Sequence, residues 1–385
     1  MSSKKIKLAI IINMMPSYRA GFYNDIFANE DTEATVYCHI PPANSTIIPI
    51  HENYGNNVKI CKAIYLKNEA IVISILPWKE IILNYDVVFI EGNPRYITHA
   101  LLATALKLIG KNIILWTMAH SYRNQKFSQW VRVSWTKMFN NILVYSDKEV
   151  SHLKKIGFNR QKIIGINNGL DQNKINSVMS LWSEDALKKW KIETELENKI
   201  IILSCARLEP KNKFQYFAEA MPNILKEFPN VLWCIIGEGK EENTLLSVIK
   251  KNKLEKNVRL LGSIHTELLL APWFLNSYVM VHPAAIGLSI LHSYGYGLPV
   301  ITHSNANHHG PEFAAFEEGI TGVSFAEDSI SDLTNITLQV LRKTDIHEKM
   351  KKSCKEVVQL KYNTNIMSKR FIKFAKETAH QKLDT

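Results

Sequence analysis

Apolar strand patterns alternate with helical patterns along the whole 385-residue chain. Runs rich in Ile, Val and Leu predict strands over residues 7–12, 34–37, 87–90, 112–116, 142–145, 163–166, 200–205, 231–236, 258–261, 278–281 and 300–302. Several are apolar at every position, as strands covered on both faces must be. Helical periodicity lies between them, for example over 98–109, 128–139 and 213–227. This order predicts an α/β fold of parallel sheets built from crossover units. The length suffices for two cores, and the pattern restarts near residue 198, after the turn-rich Asn167-Asn-Gly-Leu-Asp-Gln-Asn-Lys174 and a polar helical stretch holding Trp182 and Trp190. A linker is expected between about Asn168 and Asn198. Apolar residues at helical spacing after Tyr362 (Ile366, Phe371, Phe374, Ala375) predict a terminal helix.

No apolar run reaches the length of a membrane span. The early run Leu8–Met15 is broken by Asn13 and followed by a Pro-Ser-Tyr-Arg turn in place of a small-residue cleavage site, so it reads as the first buried strand. Five scattered cysteines lack metal spacing; Cys205 and Cys234 lie in apolar strands and read as core residues. They suggest a reducing cytoplasm. The net charge of +11 favours anionic partners. The basic residues are dispersed and no recognition motif accompanies them, which argues against nucleic acid and leaves anionic headgroups or a pyrophosphate-linked molecule.

The segment Gly287-Leu-Ser-Ile-Leu-His-Ser-Tyr-Gly-Tyr-Gly-Leu-Pro-Val-Ile-Thr302 reads as a turn, a short helix, a glycine break and a strand. Gly287 permits close backbone approach, and the amides of Leu288, Ser289 and Ile290 are expected to lack intrahelical acceptors. Such a helix start attracts a phosphate. This stretch resembles the nucleotide-sugar motif of retaining glycosyltransferases of family 4, which have the glycosyltransferase-B fold. Their pattern is Glu-Gly-Phe-Gly-Leu, three residues, Glu-Ala, then Gly-x-Pro-Val. Gly287-Leu288, Leu291 and Gly297-Leu-Pro-Val300 match; the two family glutamates fall on Ala284 and His292.

The resemblance extends to other loops. Ala206-Arg-Leu-Glu-Pro-Lys-Asn-Lys213 follows a buried strand and resembles the family's Gly-Arg-Leu-x-Pro-x-Lys-Gly, which assigns diphosphate neutralisation to Arg207, Lys211 and Lys213. Gly237-Glu-Gly239 resembles the loop beneath the nucleotide base, with Ser263 and Ile264 near that base. Ile286, Gly287, Leu288, Ser289, His292 and Glu312 complete the implied donor contacts, with Gly21 beside them. His120, in Trp116-Thr-Met-Ala-His120, is the implied proton-handling group facing the reacting sugar. Arg19, Asn93, Arg95 and Arg123 are assigned to the acceptor side. The adjacent His308-His309 pair is read as a loop, and no metal site is expected.

The resemblance implies two doubly wound Rossmann-like domains facing across a cleft. Residues 1–172 would bind acceptor, residues 173–361 nucleotide sugar, and the helix of 362–380 would pack back on the first domain. The implied reaction is metal-independent transfer of a sugar from a nucleotide sugar, a substrate and not a cofactor, to a glycan or lipid-linked glycan. It implies retention at the anomeric carbon and a role in surface polysaccharide or lipopolysaccharide biosynthesis, in the cytoplasm or at the inner face of its membrane. Two alternatives share these features: an epimerase or hydrolase on the same fold, and a catalytically silent nucleotide-sugar-binding subunit.

Overall fold

The first and second halves of the chain each wind outward from a central strand, return beside it and wind outward again. The computed structural model describes residues 4–42, 48–66, 70–118 and 126–381. In chain order its strands are β1 (Ile6–Ile11), β2 (Thr32–Cys38), β3 (Val58–Ile60), β4 (Lys62–Leu66), β5 (Ile71–Ile75), β6 (Val87–Glu91), β7 (Asn112–Trp116), β8 (Asn141–Val144) and β9 (Lys162–Gly165), then β10 (Ile200–Cys205), β11 (Val231–Ile236), β12 (Val258–Leu260), β13 (Ser277–Val281), β14 (Val300–His303) and β15 (Gly322–Phe325). Two units result: residues 1–171 with 363–385, and residues 172–362.

In the first unit the order β3-β2-β1-β6-β7-β8-β9 is parallel throughout, with β4 and β5 as a separate antiparallel hairpin. Alternate residues of β1 serve opposite faces, as a pleated strand requires. Leu8 and Ile10 join a core with Phe89 and Trp116, and Ala9 and Ile11 join one with Val88, Leu102 and Leu106. The helix Thr364–Ala379 completes the first of these cores. Asn363 caps it, accepting from the Ile366 N–H at 2.9 Å. Its Phe371 ring stacks on Phe89 at 3.8 Å between centroids.

The second unit has the order β12-β11-β10-β13-β14-β15, all parallel. Ile202, Trp233 and Val281 face helix residues Phe217, Met221, Leu333 and Leu341 across one core. The expected linker is instead two helices of this unit, Gln172–Met179 and Glu184–Glu193. Trp190 packs edge-to-face on Trp273 at 4.8 Å, which gives that polar stretch a hydrophobic anchor. Among the described residues no helix is long and apolar enough to cross a membrane.

Candidate active site

Reversal of winding direction leaves a gap between loops that depart to opposite sides, and open parallel sheets bind ligands there, beyond the carboxyl ends of the strands. In the second unit that switch lies between β10 and β13. The loop after β10 carries Arg207 and Lys211, and the loop after β13 carries Ala284, Ile286 and Gly287. Ser289 Oγ ties the two together by donating to the Cys205 carbonyl at 3.0 Å.

The arginine loop is held from below. Asn212 Nδ2 donates to the Arg207 carbonyl at 2.7 Å, and the Leu208 N–H donates to the Glu238 carbonyl at 2.9 Å. Gly237 and Gly239 also have a packing role in this structure. A Cβ on Gly237, whose φ is +142°, would lie 2.0 Å from the Ala206 carbonyl oxygen, and one on Gly239 would lie 2.3 Å from that of Leu208. Both glycines admit the arginine loop and so seat Arg207 from beneath. The Ser263 N–H is spent on Glu238 Oε1 at 3.0 Å, and the neighbouring Ile264 is half-buried. Arg207 and Lys211 are exposed, and Lys211 lies close enough to depress the pKa of His282 slightly. Lys213 is paired with Asp328, so its charge is already partly neutralised.

Gly287 differs from the loop glycines: a Cβ there would meet nothing within 4 Å. The helix Ser289–Gly295 begins beside it. The expectation of three unbonded amides is corrected at Ile290, whose N–H donates to the Gly287 carbonyl at 3.1 Å. That tight turn leaves the Leu288 and Ser289 N–H groups without acceptors among the described residues.

Beneath this turn is a buried histidine layer. His309 Nδ1 accepts from the Ile286 N–H at 3.0 Å, and its Nε2 donates to the His303 carbonyl at 2.8 Å, which fixes one neutral tautomer. The rings of His303, His309 and Phe313 stack at 3.8 and 3.9 Å. Burial lowers the pKa of His309 to about 3 and that of His282 to about 4. His308 diverges from its neighbour and pairs with Glu327 at 2.7 Å. Glu312 is buried and folds toward Gly310, where a Cβ would meet its carboxylate at 2.7 Å and lie 3.6 Å from the Gly287 Cα.

Ala284 is 5% exposed, and its carbonyl accepts from His282 Nδ1 at 3.1 Å and Thr302 Oγ1 at 3.3 Å. His292 does not stand open to a ligand. Its Nε2 lies 2.7 Å from Glu267 Oε1, which also accepts from the Tyr296 hydroxyl at 2.6 Å.

In the first unit the switch lies between β1 and β6. Its loops are Asn13–Gly21 and Glu91–Arg95, joined where the Asn13 N–H donates to Glu91 Oε2 at 2.9 Å. Burial pushes the Glu91 carboxyl up, opposed by that hydrogen bond and by Arg19. Arg19 donates to Asn168 Oδ1 at 3.2 Å and lies over the Trp116 ring at 5.1 Å. Asn93 Oδ1 accepts from the N–H of Arg95, which is exposed. The space above Gly21 is filled by Thr364 Oγ1, 2.7 Å from an added Cβ, and by Asp171. His120 and Arg123 lie outside the described residues.

Sequence reasoning missed Glu267 and the buried His282 and His303. His282 follows β13 and His303 ends β14, and that signal was available. Nothing local marks Glu267, which is 25 residues from His292.

Residues 187–357 match the family model described as "Glycosyl transferases group 1". A 101-residue stretch is 30% identical to the Streptococcus agalactiae UDP-N-acetylglucosamine–peptide N-acetylglucosaminyltransferase GtfA subunit, covering 26% of this chain and 20% of that one. A 142-residue stretch is 29% identical to a Mycobacterium tuberculosis glycogen synthase, covering 36% of this chain and 33% of that one. The chain thus matches between a fifth and a third of the length of these curated relatives. Over its whole length it superposes on Anabaena HepE in complex with UDP (TM-score 0.70, 15% identity, 97% and 100% coverage) and on a Rickettsia africae glycosyltransferase (0.71, 15%, 99% and 100%). The chain therefore has the glycosyltransferase-B fold, and its second unit carries the group 1 glycosyl transferase pattern over residues 187–357.

Proposed function

We propose that this chain is a retaining, metal-independent glycosyltransferase of the family 4 type, with its nucleotide-sugar donor on the second domain and its acceptor on the first. The observation that carries the reading is the placement of Arg207 and Gly287 on the two strand ends that flank the switch point of the β10–β15 sheet, within the segment that matches the group 1 model. A diphosphate there would meet the amides of Leu288 and Ser289 and the cations of Arg207 and Lys211. Donors fixed before the reaction stabilise charge as it develops on the departing diphosphate. The bond from the anomeric carbon to the diphosphate breaks, a bond to the acceptor oxygen forms on the same face of the sugar, and the acceptor proton leaves to a base. His120 is the proposed proton-handling group, Glu312 the proposed polar contact to the donor, and Asn93 with Arg95 the proposed contacts to an anionic acceptor.

The acceptor class is a glycan or lipid-linked glycan of surface polysaccharide or lipopolysaccharide assembly, and peripheral contact with an anionic bilayer accords with the +11 net charge. A second reading, a nucleotide-sugar-binding partner subunit without turnover, is favoured by one observation: buried Ala284 offers no polar side chain where the family has glutamate.

The test is a thermal-shift panel of nucleoside diphosphates and nucleotide sugars, followed by transfer assays with labelled donors. A ligand that binds only the native state raises its melting temperature. Stabilisation by a nucleotide sugar together with transfer to an added glycan is the expected result. Stabilisation without turnover selects the partner-subunit reading, and absence of any shift removes both.

A further inference from the structure

A cavity of the first unit opens at the amino ends of β7, β8 and β9, opposite the carboxyl ends of those strands. Its volume of about 440 Å³ lies within the range of small-molecule sites, ~300–1,000 Å³. Four cations line it. Lys107 comes from the last turn of the helix Ile97–Leu108, Lys111 from the turn after it, and Arg160 and Lys162 from the entry to β9.

Two of these charges are already engaged. Lys111 Nζ donates to the Ile82 carbonyl at 2.8 Å and feels Asp86, and Lys162 pairs with Glu377 at 2.7 Å. Burial holds the Lys111 ammonium below its usual pKa range, as expected of a cation with too few anions around it. Lys107 and Arg160 have no ion-pair partner among the described residues.

A second observation at the same cavity is independent of charge. Asn141, the first residue of β8, is 5% exposed. Its Nδ2 donates to Gln381 Oε1 at 3.1 Å, but its Oδ1 is buried and accepts from nothing among the described residues. A buried carbonyl without a donor is costly, and native structures leave few of them. Asn112 and Asn140 add further amides to the wall.

Together these features ask for a ligand with an anionic group for the Lys107–Arg160 side and a hydroxyl donor for Asn141. We infer that this cavity is a binding site for a phosphorylated polyol: either a free sugar or glycerol phosphate, or the glycerophosphate headgroup of an anionic lipid. The phosphate accepts from Lys107 and Arg160, and a hydroxyl of the same molecule donates to Asn141 Oδ1. The site is separate from the donor site proposed above and does not depend on that assignment.

Isothermal titration of the full chain with glycerol 3-phosphate tests it, alongside cosedimentation with phosphatidylglycerol and with phosphatidylcholine vesicles. Lys107→Glu combined with Arg160→Glu should weaken glycerol 3-phosphate binding at least tenfold while leaving the melting temperature unchanged. Asn141→Leu should weaken it as well, since it removes the Oδ1 acceptor for the ligand's hydroxyl. Arg207→Ala should leave it unaltered. Cosedimentation with phosphatidylglycerol vesicles alone, reduced by the double variant and by free glycerol 3-phosphate, identifies the lipid headgroup as the source; binding of the soluble phosphate without vesicle association identifies a free metabolite. Failure of glycerol 3-phosphate to bind at millimolar concentration, equal binding by the charge-reversed variant, or loss of binding in Arg207→Ala would overturn the site.

Discussion

His292 Nε2 and Glu267 Oε1 lie 2.7 Å apart, with both side chains more than four-fifths buried. Burial pushes the Glu267 carboxyl up, but the hydrogen bonds from His292 and Tyr296 outweigh it and hold the group below its usual range. His292 thus has its carboxylate partner on the neighbouring helix Glu267–Asn276.

This pairing makes a carboxylate at position 292 harmful by itself. His292→Glu would set two carboxylates against each other in a half-dry site, which favours protonation of one of them. The expected cost is ~2 kcal/mol, within the ordinary range for disrupting a buried polar pair. Adding Glu267→His should recover most of that loss. Urea denaturation of both single variants and the double gives the coupling energy directly, and additive losses would show that the two side chains do not act together.

The glycines divide into two kinds with opposite consequences. Gly237→Ala forces a Cβ to 2.0 Å from the Ala206 carbonyl at a φ of +142°, so a loss of ~3 kcal/mol or more is expected. Gly287→Ala meets no neighbour, and its melting temperature should stay within a degree or two of the parent. Its nucleotide-sugar affinity should nevertheless fall at least tenfold, since a methyl would occupy the proposed approach of the diphosphate. Calorimetry and ligand titration on the two variants separate these effects.

Arg207→Ala removes an exposed cation from the proposed diphosphate site. Charge-assisted hydrogen bonds to an anion contribute roughly 1.5–3 kcal/mol, so affinity for the preferred nucleoside diphosphate should drop about tenfold to a hundredfold. Titration calorimetry at low and moderate salt checks both the size and the electrostatic origin.

Acid should destabilise both units. His39 in the first and His282 in the second have pKa values lowered by burial to about 4, from an unfolded value near 6.5. The unfolded chain then binds more protons below pH 6.5, so this stability is present above that value and is lost as the pH falls toward 4. At ~1.4 kcal/mol per pKa unit, each contributes on the order of 3 kcal/mol. His282→Asn, which keeps a donor for the Ala284 carbonyl, should flatten the second unit's share of the loss between pH 7 and 4.5, measured by denaturation at each pH.

Sequence patterns were most informative where both faces of a strand are buried. The ranges 112–116, 200–205 and 231–236 coincide with β7, β10 and β11, whose residues are almost all apolar and enclosed. They failed at margins. β3 and the β4–β5 hairpin carry partly exposed residues such as Ile60, Ile64 and Ile75, and β15 starts at a glycine, so neither apolar continuity nor clean alternation marks them. The candidate site followed the same logic. Arg207 and Gly287 stand directly after legible strands, but the Glu267–His292 and Ile286–His309 contacts join residues more than twenty positions apart, and only the packed fold brings them together.

The helix Thr364–Ala379 belongs to the first unit although it is encoded after the second. Trimming the gene at codon 171 would therefore strip Met367, Phe371 and Phe374 from a hydrophobic interior and leave a recombinant fragment prone to precipitation, whereas codons 172–362 form one uninterrupted cassette suited to expression by itself.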